Sequence, residues 1–301
     1  MDCQTFFQDN PAPGNIDFVT AQVEAFLKAN AGNKVVLVTS GGTIIPFERN
    51  TVRFIDNFSQ GTRGSASTEY FLQQENIAVI FLYRSTTLRP FLRHFAHTNF
   101  LDMLEMNQSS PTLQIRPDHE KKIKEIWSQY QKVREKNRLL ELSFTTLTDY
   151  LWYLKTICQA FRTIGPRALL YLAAAVSDFY IPRQEMAEHK LQSSEGAPSV
   201  QLQMVPKMLA PLVKDWVPEA YVVSFKLETD ESILLAKAYK ALDTYQHRIV
   251  VANLLHSRKE RVILVQKGQT EENIVMSPRE LEKGHEIEEK IVQSLMSKFL
   301  V

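Results

Sequence analysis

The chain carries almost no excess charge. Its 35 Lys and Arg residues stand against 34 Asp and Glu, a formal net charge of +1. Nothing in that balance calls for nucleic acid or an anionic membrane surface. Cysteine is scarce as well: Cys3 and Cys158 are the two present, too few for a disulfide framework, and they read as thiols of a reducing compartment. The longest apolar run, residues 168–176, falls well short of the roughly 20 residues a membrane-spanning helix needs. Residues 1–10 bring an acid early and no apolar core, so they do not read as a secretory signal. A cytoplasmic protein is expected.

Several familiar site motifs are missing too. There is no G-x-x-x-x-G-K-[ST] phosphate loop, no G-x-S-x-G elbow and no H-E-x-x-H. His94 and His97 have no cysteine or carboxylate cluster beside them in the sequence and read as structural or surface histidines rather than metal ligands. No metal site is expected.

What is present is a buried strand ending in small residues: Val35-Val-Leu-Val-Thr-Ser-Gly-Gly-Thr43. Consecutive apolar, mostly β-branched residues predict a strand covered on both faces. The shrinking side chains at its end let a ligand come close to the backbone. Further strands are expected over 77–83, 139–144, 168–176, 200–205, 221–225 and 248–252, with a closing hairpin at 261–266 and 273–276. Helices are expected near 17–27, 65–74, 118–138, 145–161, 207–216, 231–245 and 279–300. The alternation predicts an α/β fold, a Rossmann-like, mostly parallel sheet with helices on both faces and an antiparallel hairpin near the C-terminus. The whole chain, 1–301, reads as one nucleotide-binding domain with an irregular N-terminal arm (1–16) and a mobile polar flap (179–198). Residues 84–117 have no clean periodicity.

In open α/β sheets the ligand crevice lies beyond the carboxyl ends of the strands, and small or polar residues gather there. Gly41, Ser59, Gly61 and Gly64 read either as a phosphate cradle at a helix N-terminus or as close helix–sheet packing. Asp178 ends an apolar strand and reads as a substrate ligand or a turn former. Asn253 reads as a crevice amide or a turn residue. Lys190 sits on the flap, where a merely solvated lysine is the simpler reading.

Six segments carry a resemblance. They are Val38-Thr-Ser-Gly-Gly-Thr43, Arg53-Phe-Ile-Asp-Asn-Phe-Ser59 with Gly61-x-x-Gly64, Tyr171-Leu-Ala-Ala-Ala-Val-Ser-Asp178, Met204-Val-Pro-Lys207, Ser224-Phe-Lys-Leu-Glu-Thr-Asp230 and Val250-Val-Ala-Asn253. In this order they resemble the phosphopantothenate–cysteine ligases, in the stand-alone eukaryotic form. The resemblance implies a ligase of coenzyme A biosynthesis that joins 4′-phosphopantothenate to L-cysteine. ATP (or CTP) with Mg2+ would be consumed through an acyl-nucleotide, releasing pyrophosphate and nucleotide monophosphate. It implies a nucleotide site at Gly41, Ser59, Gly61, Gly64, Phe225 and Asn253, and a phosphopantothenate site at Asn57, Ala174, Ala175 and Asp178. The glycines and alanines would act through backbone groups. It also implies a homodimer in which Arg53 reaches the neighbour's substrate phosphate, with Asn253 and Lys190 catalytic. The competing reading is an NADP-dependent oxidoreductase on the same fold, with Arg84 placed for a 2′-phosphate.

Overall fold

The computed structural model describes residues 2–192, 194 and 196–300. Eight strands form one sheet: β1 (Lys34–Ser40), β2 (Ile77–Arg84), β3 (Leu139–Phe144), β4 (Ala168–Leu172), β5 (Tyr221–Glu228), β6 (Ile249–Leu254), β7 (Arg261–Val265) and β8 (Glu272–Val275). Their order is β8-β7-β6-β5-β4-β1-β2-β3. The first six run parallel, and β7 and β8 are antiparallel. That is the 3-2-1-4-5-6 arrangement of dinucleotide-binding sheets, whose order reverses between β1 and β4. The expected fold is the observed one.

Residue alternation on β1 sends Val35 and Leu37 to one face and Val36 and Val38 to the other. The first face is covered by α2 (Ile16–Ala29) and α5 (Leu147–Phe161). The second is covered by α3 (Thr62–Leu72), α4 (Pro117–Glu135) and α8 (Ile287–Phe299), and α6 (Glu231–Tyr245) closes a smaller cluster over β6. Both faces being dry, β2 is buried along its whole length.

Several local expectations need correction. The arm is not irregular, because α1 (Cys3–Asp9) forms there, capped by the Asp2 carboxylate accepting from Thr5 N–H. Seven residues do not hold a helix in water unaided. Phe6 against Tyr180 and Phe7 against Trp152 and Trp216 supply the packing that does. The helix expected near 17–27 starts slightly earlier, with Asn15 before its first turn, and buries Val19, Val23, Phe26 and Leu27. The strand expected at 200–205 shrinks to Gln203–Met204, paired with Phe179–Tyr180. The helix expected at 207–216 is a short α turn, Leu209–Pro211, opening into a π turn, Leu212–Trp216. The last helix is broken into α7 (Pro278–Glu282) and α8, with Gly284 at φ +74° between them.

The segment expected to be a mobile flap is tied down over its first half. Beyond the Phe179–Tyr180 pairing, Arg49 and Asn50 N–H donate to the Ala187 and Glu188 carbonyls. Ser193 and Glu195, which belong to the same expectation, lie outside the described residues.

Candidate active site

The end of β1 turns on Gly41, whose φ of +85° suits glycine. Before α3, the chain makes a two-stranded excursion, Ile44–Pro46 against Phe54–Asp56, that returns to the β1 end. Asn57 N–H donates to the Thr43 carbonyl. Gly61, at φ +76°, precedes α3 without a side-chain cap, so the first amides of that helix have no capping side chain, as a phosphate site at a helix N-terminus would need. Ser59 does not extend the cradle directly; its hydroxyl accepts from Gly61 N–H at 3.3 Å. The close-packing reading of Gly61-x-x-Gly64 holds at its second glycine. Gly61 opens the helix end, while Gly64 packs on β1: a Cβ there would lie 2.5 Å from the Ser40 Cβ. We expect Gly64→Ala to lower unfolding free energy by about 1–3 kcal/mol with no ligand present, read from the urea midpoint. An unchanged midpoint would mean that helix and strand can part freely there.

Across the sheet reversal, the end of β4 is zipped to the end of β1. Ala175 N–H donates to the Gly41 carbonyl at 2.8 Å and Thr43 N–H to the Ala175 carbonyl at 3.2 Å. Ala174 N–H donates to Thr39 Oγ1, and Ser177 N–H to Thr43 Oγ1. The N–H groups of the two alanines are thus engaged inside the fold. Thr39 and Thr43 were overlooked as the residues holding this turn, although both stand in the first motif.

From there a cleft of about 230 Å³ runs between β4, β5 and residues 205–212, with Ala174, Asp178, Lys207, Phe225 and Lys226 on its walls. Asp178 accepts a charged hydrogen bond from Lys207 Nζ at 2.9 Å, which holds that ammonium above its usual pKa. Phe225 stands edge-on to Tyr171, ring centroids 4.8 Å apart. Beneath it, Ser224 Oγ and His247 Nε2 share a buried hydrogen bond of 2.8 Å. Burial, with the Lys226 charge nearby, pushes the His247 pKa down to about 4. An unfolded histidine takes its proton near 6.5, so this contribution is complete above that pH and is lost as pH falls towards 4. Between pH 7 and pH 5 the chain should lose about 2 kcal/mol through this one group. Denaturant melts at both pH values check it, since His247→Gln should flatten that part of the difference.

Asn253 is not a turn residue. It lies within β6, 5% exposed, opposite Leu227 of β5, and its side-chain amide makes no hydrogen bond with a described residue. The structure therefore gathers Gly41, Asn57, Ser59, Gly61, Ala174, Ala175, Asp178, Phe225 and Asn253 along the carboxyl edge of the parallel strands. Arg53 and Lys190 belong to a second group. Arg53 donates to buried Glu48 at 2.9 Å and, through both terminal nitrogens, to the Leu191 carbonyl at 3.2 Å. Lys190 is exposed on that same strap. Arg84, read as a possible 2′-phosphate ligand, is 8% exposed and committed to Asp56 at 2.6 Å and the Gly42 carbonyl. So buried, and drawn inward by Asp56, it is not presented to a cofactor phosphate, and the oxidoreductase reading loses its one supporting residue.

Comparison with known proteins agrees with this geometry. A family model described as the DNA/pantothenate metabolism flavoprotein C-terminal domain matches residues 156–295. The chain is 45% identical over 302 residues to a human protein named phosphopantothenate–cysteine ligase, covering 99% of this chain and 96% of that one. A Saccharomyces cerevisiae protein, phosphopantothenate–cysteine ligase CAB2, is 40% identical over 98% of this chain and 85% of its own length. Among solved structures, a Cab2 mutant in complex with phosphopantothenate-cysteine superposes with a TM-score of 0.88 at 40% identity, covering 98% of this chain and 97% of that one. The chain belongs to the phosphopantothenate–cysteine ligase family.

Proposed function

We propose that this protein joins 4′-phosphopantothenate and L-cysteine into 4′-phosphopantothenoylcysteine, a step of coenzyme A biosynthesis. The observation carrying the reading is the nearly full-length likeness to a structure containing phosphopantothenate-cysteine. A carboxylate is a poor electrophile because oxide would have to leave. Its oxygen therefore bonds first to the α-phosphorus of ATP (or CTP), expelling pyrophosphate. The cysteine nitrogen then bonds to the acyl carbon, nucleotide monophosphate departs, and the nitrogen loses its proton to water.

Both steps build negative charge on oxygen, which fixed donors stabilise. The uncapped amides of α3 suit nucleotide phosphates, Asn253 suits the acyl-nucleotide carbonyl, and Phe225 suits the base or ribose. Lys190 would reach the α-phosphate if the strap on 187–191 shifts. Arg53 would serve the neighbour's substrate phosphate in a homodimer, and the exposed Val52, Phe54 and Phe58 beside it are the apolar surface such contact would cover. Among the described residues no three His, Cys, Asp or Glu side chains converge. They make no cage for a resident ion, so Mg2+ is read as arriving on the nucleotide phosphates and no step is routed through it. A cytoplasmic location fits two free cysteines and the fact that, among the described residues, no helix is long and apolar enough to cross a membrane.

Incubating the chain with phosphopantothenate, cysteine and ATP or CTP should release pyrophosphate and nucleotide monophosphate in step with amide formation. ADP and orthophosphate instead would overturn the acyl-nucleotide route.

A further inference from the structure

The excursion between β1 and α3 reverses over residues 47–53, and a carboxylate sits inside that turn. Glu48 is fully buried, although Arg49, Asn50, Thr51 and Val52 beside it are exposed. Its Oε2 accepts the Val52 and Arg53 N–H groups at 3.2 and 3.0 Å, which fixes the plane of the carboxylate. Oε1 is thereby aimed at the Arg53 guanidinium, which donates to it at 2.9 Å. Leu191 N–H, on the strap that carries Lys190, lies 3.5 Å from the same oxygen. Burial would raise the pKa of this carboxyl, but the amides of Arg53, Val52 and Leu191 hold it below its ordinary value. The Arg53 side chain is 41% exposed, so screening by water leaves the pair itself little to add to stability. An apolar side chain of similar volume would be cheaper to bury at position 48. Stability does not explain the acid; what it does is grip one arginine by its backbone and its side chain together.

We propose that Glu48 is the positioning residue of Arg53, holding the guanidinium in the pose from which it meets a substrate phosphate. This rests on the ligase reading, in which Arg53 serves that phosphate in a neighbouring copy. A free arginine side chain spreads over many rotamers, and fixing one of them on binding costs affinity. With one terminal nitrogen held by Glu48, that cost falls on folding instead. Phosphate oxygens can take the place of the Leu191 carbonyl, which both terminal nitrogens reach at 3.2 Å, while the Glu48 bond stays. Glu48 itself touches no substrate.

The test is KM for phosphopantothenate, at saturating ATP and cysteine, in Glu48→Gln, which is isosteric and uncharged. It should rise on the order of 10–100-fold, as for losing a hydrogen bond between charged groups. KM for ATP and KM for cysteine should stay near those of the parent. Glu48→Asp, which keeps the charge but withdraws it by a methylene, should show the same selectivity to a smaller degree. On an Arg53→Ala background, Glu48→Gln should change KM no further, because the side chain it positions is gone. An unchanged KM in folded Glu48→Gln would overturn the proposal. So would an equal rise in every KM, an undiminished effect on the Arg53→Ala background, or failure of both Glu48 variants to fold, each of which makes the residue purely structural. A parent chain that forms no amide would instead remove the ligase reading, and with it this proposal.

Discussion

Asn253→Asp is expected to turn over on the order of 10²–10³ times more slowly than the parent chain, the usual cost of losing one preorganised donor to a developing oxyanion. The substitution is close to isosteric. The side-chain amide is bonded to no described residue, and the β6 backbone keeps its register opposite Leu227 whatever side chain it carries. The fold should therefore survive, which far-UV circular dichroism checks. The carboxylate would repel the phosphate of the acyl-nucleotide and could no longer donate to its carbonyl, so that intermediate should accumulate when cysteine is supplied. Quenched-flow analysis of nucleotide products reads this directly. Normal turnover would reduce Asn253 to a buried strand residue with no part in the reaction.

The second large effect is on stability. Arg93 is 10% exposed at its side chain and bridges two carboxylates. Its nitrogens lie 2.8 and 3.1 Å from Glu69 and 2.6 and 2.7 Å from Glu286. Burial alone would lower its pKa, but the hydrogen bonds it donates to Glu286 and Glu69 hold it above the usual arginine value. The Glu69 carboxyl, resisting burial through bonds from His94 and Arg93, is held below its ordinary value. Removing one partner of such a buried network costs about 3–5 kcal/mol, because the other charges stay behind without compensation. Arg93→Met should accordingly lower Tm on the order of 10 °C. A fall worth less than about 1 kcal/mol would mean that the cluster behaves like an exposed surface pair.

How much of this was legible in the sequence depends on what stabilises each piece. β1 and β2 announce themselves because a strand dry on both faces must be apolar throughout, and Val35–Val38 and Ile77–Leu82 are. α1 could not be read, since its helicity comes from partners such as Trp152 and Tyr180, far along the chain. The same holds for residues 84–117, where the order comes from Glu69 gathering Phe91 N–H, Arg93 and His94. At the site, the small residues at strand ends were visible, but not which of their amides remain available. Ala174 and Ala175 had already given theirs to Thr39 and Gly41. Lys207 stood inside a recognised motif, but its pairing could not be read because Asp178 is near only in space.

The ion pairs that tie α3 to the C-terminal helix also constrain the timing of synthesis. Arg63, at the start of α3, pairs with Glu288, which follows it by 225 residues, and Arg93 pairs with Glu286, 193 residues later. While the chain leaves the ribosome, both guanidiniums must wait in water or with transient neighbours. Chains made N-terminus first settle early segments as soon as their contacts exist. Here the central strands β1, β2 and β4 are all made well before the partners of Arg63 and Arg93 exist. A nascent chain halted before α8 would thus leave one sheet face partly uncovered and both guanidiniums short of a partner, recognisable to chaperones as unfinished.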